Sequence, residues 1–345
     1  MRACVLSSDK RVTVSDVPPP APPGGGEVRV ALRAAALNHL DLFVIRGLPG
    51  VEYRYPHILG GDGAGVVDAV GPGVTRVRPG DAVMINPGIS CYACEYCARG
   101  EQGLCVRYRL LGEHLPGTLA ELVNVPEANV QPVPRLDPPL GWPEAAAFSL
   151  VTLTAWRLVV TRAALRAGET MLVWGIGGGV ASAALRIAKL VGARVIATSS
   201  SDDKLARARE LGADVTLNHR TQQVAAEVRT LTAKRGVDVV VDNVGEVTWQ
   251  DSLRCLARGG RLVTCGATSG PMVQTDLRRL FWNQYTIMGS TMGNAAEYAE
   301  IVRVLGTGAL RPLVDRVYPL AQVQAALDRL EKGEQLGKIA IEIAT

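Results

Sequence analysis

The sequence predicts an α/β protein built on a doubly wound parallel sheet, and three observations carry that expectation. From Trp142 onward, runs of buried-strand character alternate with helical periodicity. A glycine cluster, Gly175-Ile176-Gly177-Gly178-Gly179-Val180, lies where one such strand gives way to the next helix. Before Trp142 the chain reads as short strands separated by Pro and Gly, so a second, β-rich domain precedes the sheet.

In order, the early strand-like runs are Arg2 to Leu6, Glu27 to Ala35, Gly65 to Val70 and Asp81 to Ile85. The stretch Pro18 to Gly26, stiff and then flexible, reads as a surface loop between strands. Beyond Trp142 the pattern predicts a helix over Pro143 to Leu165, a strand at Thr170 to Trp174, a helix at Val180 to Val191 and a strand at Arg194 to Thr198. It continues with helix Lys204 to Leu211, strand Val215 to Leu217, helix Gln223 to Thr232, strand Val237 to Asp242, helix Trp249 to Leu256 and strand Arg261 to Cys265. The tail carries an apolar strand at Tyr285 to Ser290, helices near Ala295 to Gly306 and Leu320 to Lys332, and a last strand, Lys338 to Ile343.

Composition agrees with a folded globular chain. Its 345 residues are 48% hydrophobic and 20% charged, which excludes disorder and collagen and suits about two domains. No apolar run reaches the roughly 18 residues of a spanning helix, and the start lacks a signal-like stretch, so the expected location is the cytoplasm, with no membrane partner. The 37 Lys plus Arg against 33 Asp plus Glu leave a net charge of +4, scattered along the chain, which gives no reason to expect nucleic acid.

Four of the seven cysteines, Cys91, Cys94, Cys97 and Cys105, fall close together with loop-like residues between them. Reduced thiols at this density read as a four-sulfur tetrahedral zinc site, a structural one, since all four positions are filled by the protein. Cys4, Cys255 and Cys265 stand alone in apolar surroundings and read as buried thiols.

The glycine cluster, flanked by strand and helix, reads as a dinucleotide loop: Gly175, Gly177, Gly178 and Gly179 let a pyrophosphate approach the backbone, and the helix start offers free N–H groups to it. Val180 stands where the motif's last glycine would be. At the end of the following strand, where an acidic residue would hold the two hydroxyls of an NAD ribose, the chain has Thr198-Ser199-Ser200-Ser201-Asp202-Asp203-Lys204. Ser199, Ser200 and Lys204 suit a 2′-phosphate, so NADP(H) is expected in preference to NAD(H), with Asp202 and Asp203 as first-turn helix acids.

With these motifs the chain resembles the medium-chain dehydrogenase/reductase superfamily, of the zinc alcohol dehydrogenase and quinone oxidoreductase kind, over essentially its whole length. The resemblance rests on Asn38-His39-Leu40-Asp41, on Pro56-His57-Ile58-Leu59-Gly60-Gly61-Asp62-Gly63-Ala64-Gly65-Val66-Val67, on the four-cysteine lobe, on the glycine loop and on Gly337-Lys338-Ile339. It implies a GroES-like β-barrel catalytic domain over residues 1–150, carrying the structural zinc lobe 91–105, a Rossmann cofactor domain over 151–285, and a return to the catalytic domain over 286–345. It also implies a homodimer or homotetramer, relatives pairing edge strands late in the cofactor domain.

The departures from the family bear on chemistry. Where the family's catalytic zinc ligands fall, this chain has Asn38 for a Cys, Gly61 for a His, Asp62 for the following Glu, and Ser149 near the last ligand. That set does not make a tight zinc site. His39, His57 and His114 show no convergent spacing. The zinc-free quinone and enone reductases of the superfamily share the Asn-x-x-Asp arrangement of Asn38 and Asp41, which places Asn38 near the nicotinamide by resemblance; the same residues also suit a turn closed by side-chain to backbone hydrogen bonds. Tyr53 and Tyr55 are candidate pocket walls or donors. The expected activity is reduction of a small carbonyl, enone or quinone by NADPH without a catalytic zinc. The alternatives are a zinc alcohol dehydrogenase with atypical ligands and a catalytically silent nicotinamide-binding regulator.

Overall fold

The computed structural model describes residues 1–343, and the chain folds as two compact units, Met1–Val151 together with the chain from Gly293 onward, and Thr152–Met292. In the first unit, β1 (Arg2–Leu6) pairs antiparallel with β2 (Val12–Asp16). The long strand β3 (Glu27–Ala36) shows why it is central: Val28, Val30, Leu32 and Ala34 are fully buried, alternating with less buried Arg29, Ala31 and Arg33. Helix α1 (His39–Arg46), not foreseen in the sequence, follows it, and then come β4 (Asp62–Val70), β5 (Ala82–Ile85), β6 (Leu122–Pro126) and β7 (Val130–Pro132). Gly65 lies opposite Leu32, and a Cβ there would stand 2.1 Å from the Ala31 carbonyl oxygen, so only glycine lets these strands approach.

The single helix expected over 143–165 is interrupted. Helix α2 (Trp142–Ala146) stops, α3 (Ser149–Trp156) begins, and a wide-turn segment Arg157–Arg162 follows. The physical reason at the break is that the Leu150 N–H donates to the Asp62 carboxylate at 2.8 Å. Further on, the Ala163 N–H reaches back five residues to the Leu158 carbonyl.

The second unit is a six-stranded sheet. Its strands are β8 (Thr170–Val173), β9 (Arg194–Ser199), β10 (Val215–Asn218), β11 (Val237–Val241), β12 (Leu256–Thr264) and β13 (Thr286–Gly289). They stand in the order β10-β9-β8-β11-β12-β13, all parallel. Helices α4 (Gly179–Val191), α5 (Asp202–Glu210), α6 (Val224–Leu231), α7 (Trp249–Cys255) and α8 (Leu277–Asn283) connect them, the last unforeseen. The near-continuous apolar strands are buried on both faces: Leu172, Ile196, Val240 and Leu262 share one core with Val228 and Leu253. Strand order reverses between β8 and β11, which is where such sheets bind ligands. Because β13 belongs to the sheet, this unit runs past residue 285 to Met292.

From Gly293 the chain rejoins the first unit through α9 (Ala295–Leu305), β14 (Val314–Pro319), α10 (Val323–Glu331) and β15 (Lys338–Glu342). The seven-stranded sheet has the order β7-β5-β4-β3-β15-β14, with β6 also on β3. β15 lies antiparallel to β3, Ala340 opposite Ala36. Among the described residues no helix is long and apolar enough to cross a membrane.

Candidate active site

The four-cysteine lobe is assembled by tight turns, with Tyr92 and Gly100 at φ of 53° and 80° around the short helix Glu95–Ala98. The four Sγ atoms lie within 4.8 Å of one another, and Cys91 and Cys97 are 3.9 Å apart. Tetrahedral zinc with about 2.3 Å bonds needs sulfurs about 3.8 Å apart, so the donor set fits. The shifts within the lobe diverge: the backbone N–H groups of Ala93 and Cys94 help hold the Cys91 thiol down to about 5, whereas burial pushes the Cys97 thiol up to about 12. This is the one convergent set of three or more His, Cys, Asp or Glu ligand atoms among the described residues.

The positions that hold the family's catalytic zinc form a different structure. Asp62, wholly buried at the start of β4, accepts from Lys338 Nζ at 2.9 Å, from Asn38 Nδ2 at 3.0 Å and from the Leu150 N–H at 2.8 Å. Lys338, 4% exposed, spends its other two protons on the Asn38 amide oxygen at 2.5 Å and the Leu37 carbonyl at 2.6 Å. That contact fixes the amide orientation, so Asn38 Nδ2 faces Asp62 and, at 3.3 Å, the Ala36 carbonyl. Ser149 is hydrogen-bonded to the buried Tyr298 hydroxyl at 2.8 Å. An amide, a glycine, a carboxylate already paired with an ammonium, and a hydroxyl already bonded do not fit a zinc site.

Asp41 stands beside this network. Its carboxylate accepts from the Asn38 N–H at 2.7 Å and the Gly60 N–H at 3.0 Å, closing the capping box of α1 and tying the two N-terminal motif segments together. Burial pushes its carboxyl up to about 6, against the opposing pull of those N–H groups and the Lys338 charge. The histidines do not converge: His57 lies 3.0 Å from the Gly112 carbonyl, His114 Nδ1 takes the Leu110 N–H at 3.3 Å, and His39, on α1, is shifted down by burial and by Lys338 and Arg46. Tyr53 packs edge-on to His57, its ring 5.2 Å away and 6.2 Å from that of Tyr55.

In the second unit, the Gly175 turn at φ 65° is pinned by its N–H on the Thr198 hydroxyl at 3.2 Å and by the Ile176 N–H on the Thr198 carbonyl at 2.9 Å. Gly177, Gly178 and Gly179 lead into α4, which has no acidic residue in its first turn, and Val180 is accommodated there half-buried. Ser199 is buried at the end of β9 and accepts the Ser201 N–H at 3.1 Å, while Ser200 is exposed and Lys204 half-exposed on α5. Asp202 is turned toward the Asn218 amide at 2.8 Å.

Two groups escaped the sequence reading. Arg220, past the end of the adjacent strand β10, donates to the Ser200 carbonyl at 2.6 Å. Lys338 appeared only as part of a family motif; a lone lysine in the apolar run Ile339-Ala340-Ile341 was the available signal that it is buried and paired.

Elemental analysis should find one tightly held zinc per chain, and Cys94→Ser should lose it together with thermal stability, because metal binding and folding of such a lobe are coupled. Unchanged zinc in that variant overturns the assignment. For Asp41, the folded pKa of about 6 lies above the ordinary 3.8, so the folded state holds the proton more tightly than the unfolded one. This group's penalty therefore grows as pH rises from about 4 to 6 and is complete above that. Asp41→Asn should flatten the pH dependence of the denaturation midpoint across that window, and parallel curves for variant and wild type would show that Asp41 does not titrate there.

Residues 24–135 match the family described as alcohol dehydrogenase GroES-like domain, and residues 179–307 the one described as zinc-binding dehydrogenase. An NAD-dependent alcohol dehydrogenase of Saccharolobus solfataricus is 31% identical over 325 residues, 92% of each chain. An acryloyl-coenzyme A reductase of Metallosphaera sedula is 30% identical over 343 residues, 99% of each. The crystal structure of an NAD-dependent alcohol dehydrogenase superposes with a TM-score of 0.95 at 46% identity, covering all of both chains. On these matches and the paired GroES-like and Rossmann architecture, the chain belongs to the medium-chain dehydrogenase/reductase superfamily and is an NAD(P)-dependent oxidoreductase.

Proposed function

We propose that the protein reduces small conjugated carbonyls, enones or quinones with NADPH and without a catalytic zinc. The observation that carries this reading is the closed network of Asn38, Asp62 and Lys338 at the positions of the family's catalytic ligands. A bound nicotinamide supplies hydride. With no Lewis acid, a localised alkoxide is poorly stabilised, whereas a conjugated acceptor spreads the charge over an enolate or hydroquinone oxygen that a neutral donor can hold. Asn38 is that donor: its bond to the Ala36 carbonyl, at 3.3 Å the longest in the network, is the one a substrate oxygen replaces, while Lys338 keeps the amide oriented. Asp41 positions Asn38 through its backbone N–H.

NADPH is preferred in this reading, although two of the relatives are named as NAD-dependent. Its support is the hydroxyls of Ser199 and Ser200, the ammonium of Lys204, the guanidinium of Arg220 beside Ser200, and the engagement of Asp202 with Asn218. Further support exists for assembly and location. The parallel sheet ends at β13, and the neighbouring α8 exposes Leu277, Phe281 and Trp282 by 66 to 69%, which suits pairing with a second copy into a homodimer or homotetramer. None of the seven cysteines is paired in a disulfide, which suits a reducing compartment such as the cytoplasm.

Lys204→Ala and Arg220→Ala should each weaken NADPH by about 1 to 3 kcal/mol and spare NADH. Equal effects on the two dinucleotides, or a wild-type preference for NADH, count against NADPH. Asn38→Ala should lower enone or quinone turnover by about 10²-fold with NADPH affinity nearly unchanged. Ethanol oxidation that exceeds every enone and quinone rate and is abolished by chelation would instead return the chain to the zinc alcohol dehydrogenases.

A further inference from the structure

Asp242 is a buried carboxylate that the reading above leaves unused. It follows β11, is wholly inaccessible, and all of its side-chain partners are neutral donors. One oxygen accepts the Val244 and Gly245 N–H groups at 2.9 and 3.0 Å; the other accepts the Ser252 hydroxyl at 2.6 Å; the Thr248 hydroxyl lies 2.9 Å from both. Ser252 in turn accepts the Trp174 indole N–H at 2.8 Å. Trp174 immediately precedes Gly175, and its ring also packs on His219, 6.1 Å away, beyond the end of β10.

The loop that Asp242 folds, residues 243–248, is itself tied to the loop after β12. The Ser269 N–H donates to the Val244 carbonyl at 2.8 Å, the Glu246 N–H to the Gly270 carbonyl at 3.2 Å, and the Cys265 N–H to the Asn243 side-chain oxygen at 3.3 Å. The Asp242 carboxylate thus links the carboxyl ends of β8 and β11, and the loop it folds is bonded to the one after β12, at the carboxyl-terminal edge of the sheet where a dinucleotide binds.

We propose that Asp242 is a positioning residue for the dinucleotide. Through Ser252 and Trp174 it fixes the first peptide of the glycine loop, and through Val244 and Gly245 it fixes the loop across the strand-order reversal, so that the backbone N–H groups are in place before the cofactor arrives. Binding to such a preformed site avoids the ordering entropy of the loops. An apolar replacement, or one bearing an N–H donor, leaves several buried donors without an acceptor.

The test is direct titration of NADH and of NADPH, without substrate, into wild type, Asp242→Asn, Ser252→Ala and Trp174→Phe, alongside thermal melting. Activity plays no part in it, so its outcome is separate from that of the enone reading. Asp242→Asn should bind both dinucleotides about tenfold more weakly and Ser252→Ala about threefold, equally for the two, in contrast to variants at Lys204 or Arg220. Ser252→Ala and Trp174→Phe remove the same link, so the double variant should bind no more weakly than the worse single one. A merely structural role would lower the melting temperature and leave these constants unmoved. If Asp242→Asn does not fold, the Ser252 and Trp174 variants carry the test. Wild-type affinity in folded Ser252→Ala, or additive losses in the double variant, overturns the proposal.

Discussion

The ion pair of Lys338 with Asp62 is buried almost completely, and the local arrangement of the first unit around Asn38 turns on it. Taking both charges out of water costs several kcal/mol per ion, about as much as their attraction returns, so such a pair persists only when every remaining donor and acceptor is satisfied. Here they are: Lys338 has three acceptors, and Asp62 has three donors. The demands of this pair account for local features that otherwise look unrelated. Asn38 presents its oxygen to the ammonium, the Leu150 N–H in the first turn of α3 donates to Asp62, and the helical segment around residue 148 is broken.

A site satisfied in this way differs chemically from an open coordination site. In the proposed function it offers substrate no vacant electrophile, only the dipole of an oriented amide close to a compensated charge, which suits acceptors that delocalise their own negative charge. Asp41, though fully buried, does related work on the backbone by holding Asn38 and Gly60 together. The four-cysteine lobe belongs to the same unit yet serves a different end. Its four sulfurs would fill all four positions around a zinc and leave none for a substrate, so the contribution of such a site is to stability.

The dinucleotide unit shows the opposite electrostatic design. Its glycine turn and α4 start carry no acidic side chain, leaving the helix dipole to face a phosphate, while two of the acids nearby are engaged: Asp202 with Asn218, and Asp242 with a set of neutral donors beneath the loops.

Much of this was legible in sequence because it is local. The strand-like run Glu27 to Ala35, continuous apolar strands, the glycine turn and the four crowded cysteines each express constraints acting over a few residues, and they pointed to the fold class, the zinc lobe and the dinucleotide loop. Helix α1 was hidden, its eight residues following a strand after a gap of two residues, and so was the break at residue 148, since neither propensity nor periodicity encodes a distant carboxylate. What only the tertiary structure decided is the identity of partners far apart in the chain. Lys338 meets Asn38 and Asp62 because β15 pairs antiparallel with β3, and Arg220 meets Ser200 because β10 lies beside β9. Sheet pairing brings such residues together across long loops, and hydrogen bonds and charges act over a few ångströms in space whatever their separation along the chain.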